Sequence, residues 1–240
     1  MYRKRNALFQ ILLLILFLVA GSTLAVGQDL ESKLSQKTDF VPSATSTKER
    51  LIEVARHYDI PMGIEWVNLT NAPASHSPLT KQSTVRDVIN SILRDAPGYK
   101  LEIKAGVINI FDQSLKLNPR NFLNIRIPEY HVDKENIFGA QALLRFRIHQ
   151  ALNPERYQRG SNGGFGYGVP RTDTFDIKNI SFSVKNATVR DILNGIVGAN
   201  GKALWVVDLV PSKSMNAQPF FAQDQSGTNV DFVWRIVPFN

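Results

Sequence analysis

Apolar residues recur at i, i+3, i+4, i+7 and i+8 in two places along this chain. One set is Val85, Val88, Ile89, Ile92 and Leu93; the other is Val189, Ile192, Leu193, Ile196 and Val197. That spacing predicts two amphipathic helices, each with one apolar stripe turned toward a core. Both helices open on Thr-Val-Arg-Asp, at 84–87 and again at 188–191. The threonine hydroxyl can accept from the free N–H groups of the first turn, and the aspartate can reach back to the threonine, a capping-box variant. Glycine follows each stripe, at Pro97-Gly98 and at Gly198 and Gly201, and predicts the stop. Across ten residues, Thr84–Leu93 and Thr188–Val197 share six identities. Three further positions exchange one aliphatic residue for another, and Ser91 stands where Gly195 does. A near-repeat with matching surroundings suggests two copies of one building block.

The flanking patterns extend the match. Ser46-Thr47-Lys48-Glu49 reads as a capping box ahead of a helical face of Leu51, Val54, Ala55 and Tyr58, stopped by Pro61. Met62–Val67 predicts a strand, Asn68–Pro78 a loop and Leu79–Gln82 a short strand. Tyr99–Lys104 and Val107–Phe111 predict a hairpin turning at Ala105-Gly106. Asp39–Val41 is a candidate first strand, and Pro119 marks a junction. Beyond it, Leu123–Ile127 predicts a strand continuing through Tyr130–Val132, and Glu135–Asn153 a helix with Asp133 as its N-cap. Asp173–Val184, Ala203–Val210 and Val230–Val237 predict further strands. Both halves therefore read β-α-β-β-α-β-β. The expected fold is α+β: two related small modules, each with two helices packed on small mixed sheets. The expected boundaries are a leader at 1–27, a polar linker at 28–45, a first module at 46–117 and a second, with longer loops, at 118–240.

The leader changes where the protein is expected to work. Arg3, Lys4 and Arg5 precede an apolar run, Ala7–Ala20, and small residues around Ala25 suit a signal peptidase. An uncleaved anchor is the alternative, since Ala7–Val26 nearly reaches the length of a bilayer span. After cleavage no stable membrane span is expected, and the compartment is the periplasm. The chain has no cysteine, which excludes disulfides and thiolate metal sites. Losing Arg3, Lys4 and Arg5 lowers the formal net charge from +7 to +4, and nucleic acid is not an expected partner.

The succession of elements resembles the short N-terminal domain of secretins and TonB-dependent transporters, the STN module. The matching segments are Leu79–Val88, Gly98–Ile103 and Gly106–Ile110, then Ile180–Leu193 and Gly201–Val207. The likeness covers about two thirds of residues 28–240 and rests on aliphatic patterning. It extends to exported bacterial proteins built from two such units. What the resemblance implies is a module that acts by contact with partner proteins in the cell envelope. The barrel and plug of the larger families have no counterpart pattern here.

Candidate chemistry is sparse. Gly160–Gly168 is rich in glycine, but it follows a helix and lacks the Lys-Ser/Thr of a phosphate loop. It reads as a loop in which Phe165 and Tyr167, beside Arg159 and Arg171, form a candidate partner-contact surface. His57, His76, His131 and His149 show no metal-ligand spacing. Glu129, Asp133 and Glu135 form a weak acid/base candidate. Arg86 and Arg190, in the first turns of the repeated helices, read as solvated. No catalytic residue, cofactor or metal is expected. The expected function is a non-catalytic envelope module that binds partner proteins. The alternatives are a periplasmic enzyme with a site between the modules, or a peptidoglycan or other glycan binder using Trp66, Trp205, Trp234 or the 160–168 loop.

Overall fold

In the computed structural model the described residues are 29–67, 83–118, 121–152, 154–155, 178–211, 222–223 and 229–239, with 67, 209–211, 222–223 and 229–233 described as backbone only. Helices are α1 (29–35), α2 (Thr47–His57), α3 (Val85–Arg94), the short α4 (Gln113–Lys116), α5 (Ile137–Leu152) and α6 (Val189–Asn200). Strands are β1 (Met62–Val67), β2 (Tyr99–Lys104), β3 (Val107–Asp112), β4 (Arg126–Glu135), β5 (Ile180–Thr188), β6 (Ala203–Pro211), β7 (Ala222–Gln223) and β8 (Asn229–Pro238). The class is α+β, as the sequence patterns predict.

The sheets are arranged differently from the expectation of one small set per half. β2, β3, β1, β6 and β8 lie side by side in one mixed sheet, with the two-residue β7 at its far edge. β1 joins the halves, because it pairs in parallel with β3 on one side and with β6 on the other. The reason lies in β6. Its residues Ala203, Leu204, Trp205, Val206 and Val207 are all buried, so it is covered on both faces. Such an unbroken apolar run marks an interior strand. Leu204 and Val206 enter the core formed with α1, α2 and α3, while Ala203, Trp205 and Val207 enter the core of the second half. α1, α2 and α3 thus cover one face of the shared sheet, and α5 and α6 cover the other.

A second sheet, β4 with β5, closes over the far side of α6. α6 is therefore packed on two sides, and apolar and polar residues alike are buried around it. The Ser91/Gly195 exchange follows from this. A side chain at Gly195 would meet the Phe182 ring of β5 at 2.6 Å. Tyr130 of β4 donates to the Ala140 carbonyl at 2.6 Å and fastens α5 to the same sheet.

Both repeated helix starts form the reciprocal capping box. They also share their tertiary bonds. Val85 N–H donates to Gln36 O at 3.0 Å, and Val189 N–H donates to Ile125 O at 3.0 Å. Thr84 bridges Lys37, and Thr188 pairs with Arg126, both antiparallel. The Ala105-Gly106 turn has positive φ at both residues (52° and 74°), the twist that a two-residue hairpin needs.

Several local expectations are corrected. Leu123 is not in a strand; Phe122–Asn124 forms one turn of 3-10 helix that buries Phe122 and Leu123. Asp133 does not cap α5. Asn136 does, its side-chain oxygen accepting from Phe138 N–H at 3.0 Å and Gly139 N–H at 2.8 Å, while Asp133 accepts from Ser181 Oγ at 2.9 Å. Asp39–Val41 forms no strand. The stretch expected to be linker supplies core instead: Leu30 and Leu34 of α1 are buried against α2 and α3. The Ser46 cap forms, accepting from Glu49 N–H at 3.2 Å.

Candidate functional site

The most chemically distinctive place in the fold is the seam where β1 meets α6. Alternation along β1 sends Met62 and Ile64 into the first core, so Gly63 and Glu65 face α6. Glu65 is fully buried. Arg190, in the first turn of α6, reaches it with Nη2 at 2.9 Å from Oε2. Its other amino group, Nη1, donates to Asn124 Oδ1 at 2.7 Å. Asn121 Nδ2 donates to the second Glu65 oxygen and also to Leu115 O at 3.2 Å, while its own Oδ1 accepts from Leu123 N–H at 3.0 Å.

One helical turn further along α6, Asn194 Oδ1 accepts from Trp205 Nε1 at 2.8 Å. The indole lies over Gly63, where any side chain would collide with it. Asn109 of β3 is buried as well and donates to Val107 O at 3.2 Å. Within the seam, three buried side-chain atoms have no hydrogen-bond partner: Arg190 Nε, Asn109 Oδ1 and Asn194 Nδ2. The seam is thus a polar strip inside an apolar sandwich, drawn from both halves and from the segment between them.

Burial pushes the Glu65 carboxyl above its ordinary range, and Arg190 and Asn121 offset that rise only in part. A raised carboxyl often marks a general acid or base. Here the group has no exposed surface, so it cannot meet a substrate in this conformation. The arrangement acts as a strut that fixes α6 against β1. Losing one member of such a pair leaves a buried charge alone, which costs far more than the intact pair contributes.

The earlier candidates divide clearly. Arg190 is buried and paired, which overturns the solvated reading; Arg86 does face solvent and pairs with Glu31 at 2.6 Å. Trp205 and Trp234 are buried, which withdraws both from any aromatic surface for a sugar, while the half-buried Trp66 stacks on Tyr99 at 4.2 Å. Arg145 lies over Trp234, 4.9 Å from the ring centroid. Glu135 Oε1 accepts from Asn136 N–H at 2.9 Å, and Glu129 sits across from Lys185, so Glu129, Asp133 and Glu135 do not converge. His57 stacks on Phe40 at 4.1 Å, and His131 is exposed on β4. Among the described residues no three His, Cys, Asp or Glu side chains are grouped to hold a metal. Arg159, Phe165, Tyr167 and Arg171, with His76, lie outside the described residues. Among those described, no helix is long and apolar enough to cross a membrane.

Hydrophobic periodicity does not reveal the seam, because Glu65 looks like an ordinary strand residue. A signal was present in Met-Gly-Ile-Glu-Trp-Val itself, where a lone acid sits inside an otherwise apolar strand. Such an acid needs a buried partner. No family model matches the chain, and no curated protein or solved structure matches it either.

Proposed function

We propose that the protein is exported and serves in the periplasm as a non-catalytic interaction module that binds partner proteins of the cell envelope. The observation that carries this reading is the β4–β5 sheet. Its strands run ten and nine residues and pair only with each other among the described residues. Each therefore keeps one open edge of backbone donors and acceptors, the feature that recruits a further strand by β-augmentation. Pro128 within β4 fits an edge strand, since proline cannot donate to a ladder. The outward face carries Glu129, His131, Ser183 and Lys185, all exposed.

Two further observations support the reading. Residues 3–20 have the pattern of an export leader. The matched caps, bonds and bridges at Thr84 and Thr188 favour a duplicated STN-like unit, and the family it resembles works by protein contact. The seam's carboxylate is sealed, which favours binding over catalysis. In-cell crosslinking followed by capture from envelope fractions tests the proposal. Enrichment of a defined envelope protein is expected. Enrichment of cell-wall material without protein would overturn it in favour of a glycan ligand.

A further inference from the structure

The opposite end of the molecule carries a different open edge. β2 is the first strand of the mixed sheet and pairs only with β3 among the described residues. The direction of its backbone groups follows from its neighbours. Ile108 N–H donates to Pro61 O at 3.1 Å, so the groups of Ile108 and Ile110 face β1, and those of Val107, Asn109 and Phe111 face β2. Their partners are Lys104, Glu102 and Lys100, whose N–H and C=O groups therefore point inward. Lys104 and Val107 also close the two-residue turn, as a hydrogen-bonded pair should. The backbone groups of Tyr99, Leu101 and Ile103 consequently point off the sheet. Tyr99 N–H is already used, donating to Ala96 O at 2.9 Å.

The side chains of this edge are self-complementary. Tyr99, Leu101 and Ile103 share one face, and Lys100, Glu102 and Lys104 share the other. Two copies of Tyr99–Ile103, laid antiparallel with Leu101 opposite Leu101, place Lys100 opposite Glu102 of the second copy, twice. The same register sets Tyr99 opposite Ile103 on the apolar face, twice. Each Leu101 N–H then meets the other Leu101 carbonyl. Lys104 falls opposite Gly98, beyond the paired segment, and keeps its 2.6 Å bond to Asp191. Moving the register by two residues would set Glu102 against Glu102 and Lys100 against Lys104, a like-charge arrangement that destabilises pairing. Lysine on an edge strand usually repels foreign strands. Here it also selects this one.

We propose that β2 is a homodimer interface, through which two copies of the chain join their mixed sheets edge to edge in the register centred on Leu101. The surface is distinct from β4–β5, so the proposal stands or falls independently of the envelope-partner reading.

Charge reversal tests it. Full-length protein is held in mild detergent, so that residues 7–20 do not associate by themselves, and its mass is followed by light scattering over a concentration series. Lys100→Glu, Glu102→Lys and the double variant are compared with the unaltered protein, with thermal unfolding as a check on folding, since Glu102 also pairs with Lys116. The unaltered protein is expected to be dimeric. Each single reversal faces like charges twice and should weaken the dimer by about tenfold or more. The double variant exchanges both signs and should recover it. A monomer at every concentration, or a dimer indifferent to the single reversals or not recovered in the double variant, overturns the proposal.

Discussion

Arg190, at the start of the second repeated helix, holds Glu65 in the middle of β1 at 2.9 Å, with neither side chain more than slightly exposed. The same sequence position in the first copy, Arg86, holds Glu31 at the surface. One motif therefore serves as a surface contact in one place and as an interior strut in the other. Arg190→Met takes the guanidinium away from the buried Glu65 carboxyl, and should destabilise the fold by about 3–5 kcal/mol. Arg86→Met removes an exposed pair and should cost no more than about 1 kcal/mol. Urea unfolding of the two variants checks the contrast. Equal losses would show that Arg190 carries no special load.

The strut also sets a pH dependence. The Glu65 carboxyl is raised in the fold above 4.5. The folded state then holds this proton over a pH range where the unfolded chain has released it. The contribution is complete below pH 4.5 and is lost as pH rises through the folded value. Glu65→Gln cannot titrate and loses this slope. Stability of the two proteins, measured by denaturant from pH 4 to 8, should show the unaltered protein declining relative to Glu65→Gln as pH increases. A parallel pair of curves would sink the assignment.

The helix caps titrate in the opposite sense. Hydrogen bonds from Thr84 hold Asp87 below its ordinary range. Burial raises Asp191, but bonds from Lys104 and Thr188 outweigh it and hold it low as well. Their stabilisation is present above 3.8 and is lost as pH falls through the lowered folded values. Thr84→Ala and Thr188→Ala should each cost about 1 kcal/mol at neutral pH. Acid titration of circular dichroism should show both variants losing less on acidification than the parent does.

Gly63 is the tightest point of the seam. A methyl group there would enter the space of the Trp205 indole, which Asn194 fixes by its hydrogen bond. Gly63→Ala should therefore destabilise by about 1–3 kcal/mol through overpacking. Gly98→Ala is the control, because its nearest contact would be an ordinary 3.6 Å from Asp112. Thermal unfolding distinguishes them, and an innocuous Gly63→Ala would mean that the indole can move aside.

The legible parts of this fold were those that local rules specify. Thr84, Thr188 and the aliphatic stripes behind them predicted both caps and both helices, and Ala105-Gly106 predicted the hairpin. The parts that depend on distant packing were not legible. The burial of Ala203–Val207 on both faces was visible as an apolar run, yet its consequence, a strand shared between the halves, depends on β1 more than a hundred residues away. Arg190 looked like any first-turn arginine until the carboxylate of Glu65 arrived from that strand. Leu30 and Leu34 were hidden by polar neighbours, because a helix of this length carries too few turns for a stripe to stand out.

In the proposed function the protein works through open strand edges rather than through its buried seam. A photo-crosslinking residue placed in living cells at His131 or Lys185, on the β4–β5 sheet, tests it most directly, with exposed Arg56 on α2 as the reference position. A discrete protein adduct is expected from the two strand positions and none from Arg56. The same adducts from all three positions, or none from either strand position, would contradict it.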